Sequence, residues 1–427
     1  MIKGTQTLPE IPLCSPLPYK AIRMSLSLCM IVKNEAQNLS RCLASVQGYV
    51  DEMIVADTGS QDATVAIAQD FGAQVVSIEW TNDFAVARNQ SLEMATGDWI
   101  LVLDADEVVT AAGQTMLQQI CDGKALENHA LDSILVVNLL RHEVNADQTP
   151  YTAVSRLFRN RADVRFARPY HETVDDSVAA VMQAEPHWQV RLWSQVALEH
   201  TGYEATTIAQ RDKFSRAQTI MEAYLAGHPN DAYICNKLGA LYGQAGDWAK
   251  GRSLLQQGLV SPSADPFTTY ELHYHLGLAA RIDGQSETAA EHYEAALAQP
   301  ISEILKVGAY INLGSLRKAQ QDYLSAIEQF EKATQAAPQF AMGHFNLGTA
   351  HRARGYLDPA IAAYRQAIAL DPNYAEAHQN LGVALFKLGK LPESLKAFQQ
   401  AIALYQQTNP AEAMRLQQGI RRLGVMR

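Results

Sequence analysis

Apolar positions follow two different rhythms along this chain of 427 residues. From Leu26 onward, short apolar runs alternate with stretches in which apolar residues recur every three or four positions. Leu26–Val32, Met53–Ala56, Gln74–Ile78 and Trp99–Leu103 read as buried strands, because runs of this length lie between turn signals. Between them, Ala36–Gln47 carries Leu39, Leu43 and Val46 at helical spacing and stops at Gly48. Asp62–Phe71 reads as a helix opened by an acid and closed at Gly72, and Phe84–Ala95 as a third helix. Strands alternating with helices predict an α/β, Rossmann-like, mostly parallel sheet with right-handed crossovers.

Further along, the rhythm becomes a repeat. Asn312-Leu-Gly314, Asn346-Leu-Gly348 and Asn380-Leu-Gly382 recur every 34 residues, with looser copies at Lys237-Leu-Gly239 and His275-Leu-Gly277. Seven residues after each glycine stand Gly246, Gly284, Gln321, Gly355 and Gly389. A large residue follows in each unit: Leu255, Tyr293, Phe330, Tyr364 and Phe398. This is the tetratricopeptide pattern of paired helices, in which small residues let two helices approach and large ones fill the gap. Five units exceed what a continuous core needs. The predicted organisation is an extension at 1–24, an α/β domain at 25–205, a linking helix within 206–231 and an all-α repeat superhelix at 232–427 with a polar cap near Arg415–Leu423.

Composition narrows the partners. A net charge of −10 argues against nucleic acid or an anionic membrane as the main partner. Pro9, Pro12, Pro16 and Pro18 break any apolar core of a signal peptide, and no stretch approaches the ~20 apolar residues of a membrane span. Cys14, Cys29, Cys42, Cys121 and Cys235 form no metal or disulfide pattern, which points to reduced thiols in a cytoplasmic protein.

The chemistry concentrates at strand ends. Asp104-Ala-Asp106 follows the Trp99–Leu103 run, at the rim where open α/β sheets bind ligands. Two carboxylates one residue apart on an extended segment point the same way and can hold one hard cation, which in turn grips a diphosphate. Neighbouring Glu107 reads equally well as a solvated turn acid.

Four stretches in order resemble the family-2 glycosyltransferases of GT-A fold: Met30-Ile-Val-Lys-Asn-Glu35, Val55-Ala-Asp-Thr-Gly-Ser-Gln-Asp62, Asn82-Asp-Phe-Ala85 with Ala87-Arg-Asn89, and Gly97–Glu107. The resemblance covers residues 25 to 205 and is specific in their first half. It implies inverting transfer of a sugar from a nucleotide-sugar donor, with a UDP-sugar favoured, assisted by Mn²⁺ or Mg²⁺. It implies Asp106 as direct metal ligand, Asp104 nearer the ribose or the metal's waters, and Asp57 against the nucleotide base. Asn34 and Glu35 lie at the same rim. Arg88 is expected to meet the donor or to pair with Asp83, and Asp62 to cap its helix. His200, in Glu199-His-Thr-Gly-Tyr203, resembles the late histidine that GT-A enzymes return to the metal, and an imidazole suits Mn²⁺ better than Mg²⁺.

The general base is expected at Glu172, with His171 orienting it and Asp175 or Asp176 as rivals. A carboxylate must take the acceptor's proton, but the family's usual acid-rich base motif is not cleanly present. Arg156, Arg159, Arg161, Arg165 and Arg168 form a basic stretch, mostly a solvated face, from which one or two guanidinium groups are expected near a diphosphate. Asn312, Asn346 and Asn380 share one repeat position. They resemble the asparagine ladder of tetratricopeptide-bearing O-linked N-acetylglucosamine transferases, which implies a protein or peptide acceptor in the groove. A saccharide acceptor, a purely structural ladder, and an adaptor whose transferase-like domain is inactive remain alternatives. A nucleotidyltransferase would carry a glycine- and arginine-rich phosphate loop where Lys33-Asn34-Glu35 stands.

Overall fold

The computed structural model describes residues 23–144, 146, 149–201 and 207–422, with backbone alone over 207–213. The expectations for the 1–24 extension up to residue 22, for Cys14, for Gly202 and Tyr203 after His200, and for Leu423 of the cap lie outside the described residues.

The strands are β1 Leu26–Val32, β2 Glu52–Asp57, β3 Gln74–Ser77, β4 Trp99–Val102, β5 Glu107–Val109, β6 Ile134–Glu143, β7 Tyr151–Arg159 and β8 Gln189–His200. Among the described residues they form one sheet in the order β3-β2-β1-β4-β7-β6-β8-β5. The four strands expected from the sequence make the parallel half. Beyond β4 the pairing turns antiparallel through β7 and β6, then parallel from β6 to β8 and antiparallel to β5.

Helices α1 Leu39–Val46, α2 Thr64–Asp70, α3 Phe84–Leu92, α4 Ala111–Cys121 and α5 Asp175–Ala184 cover this sheet. Alternate residues of one strand face opposite ways. Leu26, Leu28 and Met30 therefore pack with Leu39 and Leu43 of α1 and Met116 and Leu117 of α4. Cys29, with Ile100 and Val102, packs on the other face with Ala85 and Leu92 of α3 and Val178 and Val181 of α5. Both faces are apolar because both are covered, which is why the central strands read as near-continuous apolar runs. Cys29, Cys42, Cys121 and Cys235 are buried free thiols, and burial pushes the Cys29 thiol up to about 12.

The second half is helical: α6 Thr207–Gly227, α7 Ala232–Gln244, α8 Trp248–Leu259, α9 Pro266–Ile282, α10 Ser286–Leu297, α11 Val307–Ala319, α12 Tyr323–Ala336, α13 Ala341–Arg354, α14 Leu357–Leu370, α15 Ala375–Lys387, α16 Leu391–Thr408 and α17 Pro410–Arg422. The glycine of each repeat's first helix lies against the large residue of its second. A Cβ on Gly277, Gly314, Gly348 or Gly382 would stand 2.5–2.7 Å from the ring of Tyr293, Phe330, Tyr364 or Phe398. The turn after each first helix needs a left-handed residue. Gln321 takes it at φ 64° where the other repeats have glycine. One place where the two halves touch is at Tyr151 of β7, which packs against the cluster that contains Val307 and Tyr310. Among the described residues no helix is long and apolar enough to cross a membrane.

Candidate functional site

The D-x-D segment is a turn, not an extended strand end. The Glu107 N–H donates to the Asp104 carbonyl at 3.1 Å, and the Asp104 N–H donates to the Glu107 carboxylate at 2.9 Å. The turn separates the two carboxylates that an extended backbone would align.

Asp104 goes to the arginines. Arg88 of α3 donates to one of its oxygens at 2.5 Å, and Arg156 of β7 to the other at 2.7 Å. Burial opposes the Asp104 charge, but Arg156 and Arg88 outweigh it and hold the carboxyl well below the usual range. Arg88 is only 3% exposed, and its Nε donates to Glu172 at 2.5 Å. One buried guanidinium thus joins the D-x-D acid to the expected base. Asp83, the other partner expected for Arg88, instead caps α3 by accepting the Val86 N–H. One N–H-bearing nitrogen on each of Arg88 and Arg156 is buried with no partner among the described residues. Guanidinium groups with N–H bonds to spare suit an anionic phosphate.

Asp106 goes to the histidine. Its Oδ2 lies 3.2 Å from His200 Nε2, and Glu143 holds His200 Nδ1 at 2.6 Å. Sheet register makes this arrangement: Glu107 of β5 pairs with His200 of β8, which pairs in turn with Glu143 of β6. Three ionisable side chains therefore come from one rung of three adjacent strands. Arg141, two residues before Glu143, bridges the outer two, at 2.7 Å from Glu107 and from Glu143. Burial works against the charge of His200, but hydrogen bonds to Asp106 and Glu143 raise its pKa from 6.5 to about 9. Burial likewise opposes the charge of Glu143, while His200 and Arg141 lower its pKa to about 2.

Among the described residues no three His, Cys, Asp or Glu side chains converge as a metal cage. The expected set of Asp104, Asp106 and His200 is thus divided, with Asp104 given to arginines by the turn. The remaining pair could take a cation only once His200 gives up the proton between it and Asp106. A carboxylate oxygen and an imidazole nitrogen 3.2 Å apart suit adjacent positions of one octahedral ion, whose neighbouring donors stand ~3 Å apart. A second carboxylate on the far ring nitrogen is the usual support of a metal-bound histidine.

The other rim residues tie loops together. Both Asp57 oxygens accept backbone N–H groups of Gly59 or Ser60, so Asp57 closes its own turn. Asn34 donates its N–H to Ser60 Oγ and accepts the Gln61 N–H. The Glu35 N–H donates to Thr64 Oγ1, and Asp62 accepts the Thr64 N–H at the start of α2. His171 lies edge-on to Tyr170. Asp175 accepts from Ser155, and Asp176 pairs with Arg168.

Of the basic stretch, Arg156 alone reaches the D-x-D acids: Arg159 stacks on Trp99, Arg161 pairs with Asp163 and Glu185, Arg165 donates to backbone carbonyls, and Arg168 turns to Asp231. Asn312 is buried and donates to Tyr274, whereas Asn380 donates to the Glu376 carbonyl of its own helix. Asn346 is half-buried. Arg141 and Glu143 were missed from sequence; two charges alternating at the end of the apolar Ile134–Leu140 run were the signal available.

With this geometry in hand, the comparisons are specific. The model of glycosyl transferase family 2 matches residues 27–190, and tetratricopeptide models match 307–340, 348–389 and 375–407. A TPR repeat-containing protein of Synechococcus elongatus is 45% identical over 74% of this chain and 77% of its own length. An uncharacterised glycosyltransferase of Rickettsia felis is 27% identical over 47% of this chain and 71% of its own. The prophage-derived glycosyltransferase SunS of Bacillus subtilis is 32% identical over 34% of this chain and 33% of its own. The crystal structure of MamA is similar at a TM-score of 0.36 and 24% identity, over 40% of this chain and 96% of MamA. The chain is a glycosyltransferase that carries a family-2 glycosyltransferase domain at residues 27–190 followed by tetratricopeptide repeats.

Proposed function

We propose that the enzyme transfers a sugar from a nucleoside-diphosphate donor, a UDP-sugar being favoured, with inversion and with a divalent cation held at Asp106 and His200. The observation that carries this is the line Asp106–His200–Glu143, a histidine oriented by one carboxylate toward another. When bound there, Mn²⁺ or Mg²⁺ would supply positive charge to the departing diphosphate. Arg88 and Arg156 offer their remaining N–H groups to the same phosphates. Charge placed in advance where the leaving group gains it lowers the barrier.

Glu172 is our choice of base. An ionised carboxylate can take the acceptor's proton as attack proceeds, and the link to Arg88 fixes its direction. Asp175 and Asp176 have their own partners and stand second. Asn34, Glu35 and Asp57 would form the rim for the nucleoside, with Asp57 turning a lone pair from its loop to the base.

A protein or peptide acceptor is supported by the repeats, whose inner helices can present amides to an extended chain. Asn312 is committed to Tyr274, so such a chain would meet Asn346 and Asn380. A panel of nucleotide sugars tests the donor: the right one raises the melting temperature in Mn²⁺ and is slowly hydrolysed. A panel with neither effect would count against the whole reading.

A further inference from the structure

We infer that the first repeat positions the catalytic loop: Asp231, at the start of α7, holds the loop 168–172 through Arg168 and thereby aims Glu172. This rests on Glu172 being the base.

The loop is closed at its neck and strained within. Ala167 and Thr173 exchange backbone hydrogen bonds at 2.9 and 3.2 Å. Between them, Arg168 and His171 take left-handed conformations, at φ 75° and 54°, without being glycine. Such residues persist only when their surroundings fix them, and they gather at functional sites.

The fixing comes from both halves: Asp176 of α5 pairs with the Arg168 guanidinium at 2.7 Å, and the helical half supplies further contacts. Arg168 Nε donates to Asp231 Oδ2 at 2.8 Å, with the two side chains 9% and 10% exposed. The guanidinium also lies 5.0 Å from the centre of the Tyr233 ring. Tyr170 packs with the cluster formed by α6 and α7. The Pro169 carbonyl accepts the Phe84 N–H, and Arg216 of α6 covers the Phe84 ring. The far end of the loop is Glu172, held by Arg88. A continuous line thus runs from Asp231 through Arg168, the loop, Glu172 and Arg88 to Asp104.

The two oxygens of Asp231 divide the work. Oδ1 accepts the Ile234 N–H and caps α7. Oδ2 takes Arg168 and the Tyr224 hydroxyl. Asparagine caps a helix as well as aspartate does. Asp231→Asn therefore keeps the cap and removes one of the two charges facing Arg168, separating positioning from folding of the repeat.

The test compares full-length wild type with Asp231→Asn. Hydrogen exchange at the amides of Ala167 and Thr173 should accelerate at least tenfold, while the helical content and the affinity for UDP with Mn²⁺ stay unchanged. Hydrolysis of UDP-glucose or UDP-N-acetylglucosamine should lose kcat with little change in KM, and Asp231→Asn should add nothing in a Glu172→Gln background. Undiminished protection of the loop would overturn the inference. So would a loss of kcat that persists in full beside Glu172→Gln. If instead Glu172→Gln is silent while the loop still loosens, Asp231 positions the loop and the base is another residue.

Discussion

The catalytic half and the repeat half solve the problem of specificity with opposite means. Around the sheet rim, Asp104, Asp106, Glu107, Glu143 and Glu172 are held by Arg88, Arg141, Arg156 and His200, and almost every partner comes from a different element. In the repeats, one steric rule recurs, a glycine under a large ring. Charge networks fail when one member is removed, because the partner is left buried and unpaired. Packing rules fail locally, because each repeat touches mainly its neighbours. The two halves should therefore respond differently to single substitutions.

The largest effect is expected from Arg88→Met. It leaves Asp104 and Glu172 without their shared partner and should cost about 3–5 kcal/mol of stability as well as all turnover. Chemical denaturation reads the first and donor hydrolysis the second. A stable, active variant would mean that the network is ornamental.

Next stands Glu172→Gln, which should keep donor affinity and lose about 10²–10⁴ in transfer rate, because an amide cannot accept the proton. Calorimetry beside a rate assay separates the two, and unchanged transfer would move the base to Asp175 or Asp176.

The repeat half should respond more gently. Gly348→Ala places a Cβ 2.6 Å from the Tyr364 ring and should cost roughly 1–3 kcal/mol in the repeats while donor hydrolysis at low temperature persists. Loss of that hydrolysis would show that the halves are coupled more tightly than the comparison allows.

The smallest effect should be a gain. Gln321→Gly relieves the left-handed backbone at φ 64° and should add up to ~1 kcal/mol, less whatever entropy glycine restores to the unfolded chain. A clear loss in a thermal melt would show that the Gln321 side chain matters more than its backbone.

The same contrast explains what could be read from the sequence. The repeat rule has a fixed period, so Gly314, Gly348 and Gly382 and their rings were visible in advance, and the left-handed Gln321 fell where the other repeats carry glycine. The parallel strands were visible because burial on both faces leaves continuous apolar runs. The charge network was only half legible. Asp104 and Asp106 stood out at the end of β4, but the turn that parts them is set by hydrogen bonds to Glu107. Glu143 lies 57 residues from His200 in sequence, and only the pairing of β6, β8 and β5 brings the two together. β5 has three residues, too few for a periodic signal. Asn312 looked like its counterparts because sequence gives position, whereas its bond to Tyr274 depends on the neighbouring repeat.

The central claim, a cation held by Asp106 and His200 in the service of donor cleavage, is tested most directly by one rate. Release of UDP from the donor that stabilises the protein is measured in Mn²⁺, then with excess chelator, for wild type and Asp106→Asn. Wild type should fall to background on chelation, and Asp106→Asn should already lie there with its melting temperature preserved. Release that ignores the chelator, or an Asp106→Asn variant that turns over as fast as wild type and still responds to Mn²⁺, would contradict the account.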